Sequence, residues 1–353
     1  AQDDAAQYDS IMNLMKNKKI PLMERYYMTG DIEYLSREHQ IAVLKQLIPE
    51  AKEVEDKAVI TRLYSIVAMF ENQLGHMTEA KNYLDSAFMN KGKFENNNIS
   101  GMMHYIAGIY YSDKNLMEQA HENYYQAAEY FNRNEMKPAI LTEIYYDLSI
   151  IYSMWQDDEG LHELSEAMKD LPVDFPFQQI LKWTIKAKYF YALYQNEHRV
   201  DLLDSVTKYN QEAFKVYTST ENPYDVGYVI SDNYLHQAIV YSEAGKIKEA
   251  EQCFETGKKL MNPKKIDANV SVSYVSGVIA YYQADYELAE QHLQDGLREL
   301  KRMDEEQEVD YYHALIEFYT LLAKVYEKQE LYNKALEAAR NSLKYETRLF
   351  DKN

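Results

Sequence analysis

Five times along the chain, three small residues recur at the same two offsets, twelve positions and then seven. The sets are Ala68, Ala80, Ala87; Gly108, Ala120, Ala127; Ala238, Ala250, Gly257; Gly277, Ala289, Gly296; and Ala323, Ala335, Ser342. Small side chains let two helix axes approach closely where they cross. Seven residues are nearly two helical turns, so the second and third members share one face of a helix. The pattern therefore predicts repeated pairs, a helix A carrying the first small residue and a helix B carrying the other two. An aromatic three residues after the first fills the interhelical space at Tyr111, Tyr241 and Tyr326, while Glu71 and Ala280 break that rule. Gly75 and Gly245 stand where helix A must stop and reverse. With only 11 Gly and 7 Pro in 353 residues, turn-formers are too few for a many-stranded sandwich or barrel, and 34 Tyr demand packing surface.

These residues resemble the tetratricopeptide repeat, whose helical pairs carry such a small-and-aromatic pattern. The segment Tyr241 to Phe254, YSEAGKIKEAEQCF, is the best single match. The resemblance implies an all-α, right-handed α-solenoid of about seven tetratricopeptide-like hairpins over residues 58–353, behind an N-terminal helical extension or cap over 1–57. The spacing departs from the usual period of about 34: first small residues lie 40 apart from Ala68 to Gly108 and 39 apart from Ala238 to Gly277. Between about 131 and 219 the units are degenerate. Ser149 with Tyr152 reads as a helix A, and Gly160 with Ala167 as its helix B if the turn is one residue shorter; Ala187 with Phe190 marks a fourth unit. Pro172 and Pro176 punctuate the break between them, and Asn222-Pro223 opens the fifth unit. Ahead of the array, Gln7 to Met15 and Arg37 to Leu47 read as amphipathic helices, with Pro49 near the end of the second. The last helix carries Leu343, Tyr345, Leu349 and Phe350 with no polar cap after it, as expected either of a slightly sticky native end or of a protein that continues past Asn353.

Lys+Arg 38 against Asp+Glu 57 gives a net charge of −19. That is the wrong sign for phosphate backbones or anionic membranes, so direct nucleic-acid binding is not expected. Cys253 is the only cysteine, so neither an internal disulfide nor a cysteine metal pair can form. No apolar run reaches the length of about 18 residues that a membrane span needs. The nine histidines are scattered, with no pair at the four-residue spacing of a zinc helix, and His162-Glu163 lacks the second histidine of a metalloprotease motif. There is no phosphate-binding glycine loop and no nucleophile elbow. The run Asp304, Glu305, Glu306 and Glu308 reads as a solvated loop between units, and Lys16, Lys18 and Lys19 as an exposed helix end. Neither a metal nor a cofactor is expected, and no concerted set points to catalysis.

A repeat array offers a concave groove lined by the helices A. Positions three before, one after and four after the first small residue are expected to flank its buried face. They nominate Tyr105, Ile109, Tyr146, Ile150, Lys188, Tyr191, Leu235, Ile239, Tyr274 and Val278 as a largely apolar trough for a peptide or protein segment, with Lys188 its lone central cation. The expected function is a non-catalytic binding scaffold. The opening Ala1-Gln2-Asp3-Asp4 looks like a start left by signal-peptide cleavage. Together with the resemblance, it implies the exported, periplasmic sensor region of a bacterial membrane-bound regulator, with a span beyond the C-terminus. An intracellular peptide-sensing regulator of the same fold is the alternative. An enzyme with a site between Trp155 and Trp183 is a third reading.

Overall fold

The computed structural model describes residues 2–28, 32, 34–134, 139–219, 226–261, 266–307 and 311–352. They form seventeen α-helices and, among the described residues, no strand. The fold is the tetratricopeptide-like all-α solenoid that the resemblance implies. The chain divides into two compact units, Ala1–Lys114 with Glu118–Met136, and Asn115–Met117 with Lys137–Asn353.

The first unit holds α1 (Gln2–Lys16), α2 (Leu22–Met28), α3 (Arg37–Glu53), α4 (Lys57–Gln73), α5 (Met77–Phe88), α6 (Asn97–Asp113) and α7 (Met117–Asn132). Side-chain caps start three of them: Ser36, Asp56 and Asn96 accept from the backbone N–H of His39, Val59 and Ile99, each satisfying a donor that the first helical turn leaves orphaned. Pro49 lies within α3, which continues to Glu53. Met15, Tyr26, Leu44 and Leu47 share one apolar core with Leu63 and Val67 of α4. The expected boundary at residue 57 thus falls inside this core, between α3 and α4.

Two buried charge clusters tie the extension together. Arg25, 1% exposed, donates from Nε to the Ile20 carbonyl, from one terminal nitrogen to the Met15 carbonyl and from the other to the Glu50 carboxylate. Glu71, the residue that breaks the aromatic rule, instead accepts from Lys45 Nζ of α3 at 2.8 Å and pairs with His76 Nδ1 at 2.8 Å. Burial alone would raise the Glu71 carboxyl; the hydrogen bonds and charges of Lys45 and His76 outweigh it and hold the group below its usual range.

The second unit holds α8 (Ile140–Trp155), α9 (Asp158–Ala167), α10 (Pro176–Glu197), α11 (Leu202–Ser219), α12 (Gly227–Glu243), α13 (Ile247–Leu260), α14 (Ile266–Tyr282), α15 (Tyr286–Gln307), α16 (Tyr312–Lys328) and α17 (Tyr332–Lys352). Consecutive pairs make hairpins, and the helices A stack successively, α8 on α10, α10 on α12, α12 on α14 and α14 on α16. Two residues join α8 to α9, whereas three join α12 to α13, the shortened turn that the Ser149–Gly160 spacing demands. Pro176 occupies the first turn of α10. Asn222-Pro223 lies outside the described residues.

Packing explains the triplets. A Cβ added at Gly277 would overlap Leu293, and one at Gly296 the ring of Phe318; in the first unit, one at Gly108 would overlap Tyr124. Gly75 and Gly245 take left-handed backbone at the turns, with φ of 79° and 73°, where a Cβ is costly. Asp304 and Glu305 continue α15 and do not form the expected loop; Glu308 lies outside the described residues. Tyr345 and Leu349 pack against the last core, while Leu343 and Phe350 face solvent.

Candidate ligand groove

The sites nominated from sequence separate into groups. Tyr105 and Ile109 belong to α6 of the first unit, both half-buried, with the Tyr105 ring tilted against Tyr124 at 5.9 Å. The others lie in the second unit. Leu235 at 2% exposure and Val278 at 4% are core residues, not groove lining: Leu235 packs around Gly257, and Val278 belongs to the apolar cluster of the last two hairpins. Tyr146 is likewise buried at 7%, and burial pushes its hydroxyl well above the usual phenol range. Ile150 is exposed on α8, and Ile239, Tyr191 and Tyr274 are half-buried on α12, α10 and α14.

The register of the open face explains the split. On α12 the exposed residues are Tyr228, Asp232, His236 and Glu243, and with half-buried Ile239 they form a row spaced by four, four, three and four; Tyr234 and Tyr241 are half-buried beside it. Measured from Ala238 the members of the row sit ten before, six before, two before, one after and five after. On α16, Glu317 and Lys324 take the positions six before and one after Ala323. The sequence reading placed the stripe part of a turn away, at three before and four after, so on α12 it selected buried Leu235 and missed His236, Asp232 and Glu243. A spacing alternating four and three along α12, rich in polar residues, is the signal that finds them.

Lys188 is the most informative of the nominated residues. It is 9% exposed, and it makes neither a hydrogen bond nor an ion pair with any described residue. With Tyr191, Asn210, Asn233, His236 and Gln237 it lines a cavity of about 20 Å³, room for roughly one water molecule. Burial lowers the Lys188 pKa, and the nearby Asp232 carboxylate partly restores it. Amide side chains surround this cation. Asn233 donates to Thr184 Oγ1 at 2.9 Å, Asn210 donates to Gln237 Oε1 at 2.9 Å, and Gln237 donates to Thr207 Oγ1 at 2.8 Å. The Asn210 carbonyl oxygen is buried without a partner, an acceptor ready for an N–H.

A second group of side chains is open to water yet walled by protein. Glu317 is exposed, but the surrounding protein desolvates it and raises its carboxyl to about 7. Glu243 is raised in the same way, against the lowering effect of Lys324 and His198. His236 is accessible, and desolvation followed by the Lys188 charge holds its imidazole far below the usual range. Desolvation also raises the hydroxyls of Tyr191 and Tyr274, and both feel the Glu243 and Glu317 carboxylates. The Tyr191 ring lies 6.2 Å from His236, its hydroxyl accepts from Gln195 Nε2 at 3.0 Å, and the Tyr274 ring lies 5.1 Å from Phe318.

The stretch from Trp155 to Trp183 shows structural roles instead. Asp157 caps α9 by accepting from the Gly160 N–H, Lys169 pairs with Glu166 at the surface, and the His162 ring lies 5.0 Å from Tyr189. Among the described residues no group of three or more His, Cys, Asp or Glu is placed to hold a metal ion, and no helix is long and apolar enough to cross a membrane.

No protein-family model matches the sequence, and no curated protein matches it. Solved structures do. The chain is similar to apo RapI, with 11% identity over 83% of this chain and 99% of that one and a TM-score of 0.59. It is similar to the apo quorum sensor NprR from B. thuringiensis, with 14% identity over 99% and 93% and a TM-score of 0.59. A Rap protein complexed with competence and sporulation factor matches at 12% identity over 99% of both chains, with a TM-score of 0.55. At these identities the likeness is one of fold.

Proposed function

We propose that the second unit is a non-catalytic receptor for an extended peptide segment, held along the open faces of α10, α12, α14 and α16. The observation that carries this reading is Lys188: a side chain nine-tenths buried, with no hydrogen-bond or ion-pair partner among the described residues, set among amide side chains that can pair with a peptide backbone. A soluble protein keeps an unpaired charge in such a place at a cost in stability, and a ligand carboxylate offsets it. Adjacent helices pack about 10 Å apart, so the three steps from α10 to α16 span at most roughly 30 Å, the length of about nine extended residues. Likeness of fold to a quorum sensor and to a Rap protein solved with competence and sporulation factor supports the same reading.

The receptor would serve as the exported sensor region of a bacterial signalling or transcription regulator, as the tetratricopeptide resemblance implies. The second reading is an intracellular peptide-sensing regulator of the same fold. The complete reading frame separates the two through an upstream signal segment and a downstream span.

The receptor itself is tested by isothermal titration of the whole chain with a random mixture of peptides of about nine residues. Saturable binding is expected, weakened about tenfold or more by Lys188→Met, the scale of one lost charge-assisted hydrogen bond. Binding that is indifferent to both Lys188→Met and Tyr191→Ala, at unchanged helicity, sinks the proposal.

A further inference from the structure

We propose that the cavity between α2, α3 and α4 binds a small oxyanion carried on an apolar body, with Arg37 and Arg62 taking the anion. The site lies within the first unit and is independent of the peptide-receptor reading of the second.

The cavity holds about 670 Å³, within the range of about 300–1,000 Å³ that small-molecule sites occupy. Its lining is largely apolar: Ile32, Leu44 and Phe70 are buried, and Ile66 and Met69 are half-buried against the same core. From α2 come Tyr26 and Tyr27, whose rings meet edge to face at 5.6 Å; Tyr26 is buried and Tyr27 exposed. Such a surface suits a ring or a hydrocarbon body.

Two cations line the same space. The Arg37 guanidinium lies 4.7 Å from the centre of the Phe70 ring, and that of Arg62 lies 5.0 Å from the centre of the Tyr26 ring. A planar guanidinium over a ring keeps its five N–H donors in its own plane, outside the stack. Arg37 directs one of them at Gln40 Oε1, and Arg62 makes no hydrogen bond with a described residue. Gln40, 1% exposed, is fixed in turn, because its amide donates to the Ile32 and Leu35 carbonyls at 3.0 and 2.8 Å. The guanidinium that Gln40 holds is therefore positioned before any ligand arrives.

The remaining donors lack an anion. In this strongly acidic chain Arg25, Arg133, Arg199, Arg298 and Arg302 all have carboxylate partners. Arg37 and Arg62 have none among the described residues, nor do Arg340 and Arg348 of α17; what sets the first two apart is the cavity that holds both. Arg37 also opens α3, where the helix dipole favours a negative charge and opposes a cation. Glu38, the acidic residue of that turn, is exposed and makes no ion pair with it. A carboxylate or phosphoryl group matches the guanidinium fork and suits the dipole at once, while the apolar lining takes the body that carries it.

The test is isothermal titration of the whole chain with naphthoate, naphthyl phosphate, naphthamide and inorganic phosphate. Naphthoate is expected to saturate one site and to bind about tenfold or more tightly than naphthamide, its neutral counterpart, the scale of one charge-assisted hydrogen bond. The double variant Arg37→Gln/Arg62→Gln should bring naphthoate to the level of naphthamide at unchanged helicity, whereas Tyr27→Ala should weaken both alike. Naphthyl phosphate distinguishes the headgroups: bound more tightly than naphthoate it points to a phosphoryl group, bound less tightly to a carboxylate, and either result supports the site. Equal affinity of the wild type for naphthoate and naphthamide overturns the proposal, as does a double variant that keeps the difference. Inorganic phosphate bound as tightly as naphthyl phosphate overturns it too, because the apolar body then contributes nothing, and so does a Tyr27→Ala variant that weakens neither naphthalene probe. A glutamate-rich peptide captured through Arg37 and Arg62 by a chain that binds no naphthoate makes the occupant a protein segment, and the small-molecule assignment falls.

Discussion

The two units treat charge in opposite ways. In the first, buried charges come in closed sets: Arg25 with Glu50 and two carbonyls, Glu71 with Lys45 and His76. In the second, Lys188, Glu243 and Glu317 have no ion-pair partner among the described residues. Desolvation is costly in both places. Where protein groups close the set, the charge serves the fold; where they leave it open, the cost persists until something else binds. Cations stack on rings in both units; in the second, Lys186 lies over Trp183, Lys246 over Tyr241 and Lys301 over Tyr319. In the first unit Arg37 stacks over Phe70, Lys45 over Tyr83 and Arg62 over Tyr26, so those rings already hold cations. No cation is stacked on Tyr191 or Tyr274 among the described residues.

Truncating Arg25 to Ala should have the largest effect, because it strands a Glu50 carboxylate and two carbonyls: a loss of about 3–5 kcal/mol from the first unfolding transition in urea. A smaller loss would show that the set is less closed than its geometry indicates. Next comes Glu71→Gln, expected to cost about 1–3 kcal/mol at pH 7, the half-exposed Lys45 limiting the penalty. Glu71 lies below its ordinary value in the folded chain, so its contribution is complete above about 4.5 and disappears as pH falls through the folded value. The gap between wild type and Glu71→Gln should therefore narrow on acidification.

In the second unit the signs reverse. Lys188→Met is expected to stabilise the chain by about 1–2 kcal/mol while weakening peptide capture, because it replaces a buried unpaired cation by an apolar side chain of similar length. Loss of stability instead would mean that the ammonium has a partner after all. The smallest effect is Glu317→Gln. The folded protein holds the Glu317 proton up to about pH 7, whereas the unfolded chain releases it near the ordinary value of 4.5. Its unfavourable contribution is therefore absent at pH 4, grows between those values and is full above 7. The variant's melting temperature should exceed that of wild type at pH 8 and match it at pH 4.

Much of this was legible before any coordinates. The triplets predicted the hairpins and the small residues at their crossings, and the Ser149–Gly160 spacing predicted the short turn before α9. Lys188 stood out as a lone cation on a helix A. The open face was misjudged by part of a turn, for a definite reason. A helix A in a stack is covered on two sides by neighbouring helices A and on a third by its own helix B, so its accessible stripe is narrow, and a small angular error exchanges Leu235 for His236. Glu71 was visible only as an exception to the aromatic rule; its partner Lys45 lies 26 residues away in a helix outside the repeat pattern.

Helix pairing, the order of the hairpins and the places of closest approach follow from local spacing, because helical periodicity and side-chain volume act within a few turns of chain. The sequence alone also set the residue types: a strongly acidic chain, one cysteine, no run of metal ligands. Which charges are paired and which stand open could not be read that way. Pairing depends on the approach of helices distant in sequence, and the packing of neighbouring helices decides how far water reaches a given side chain.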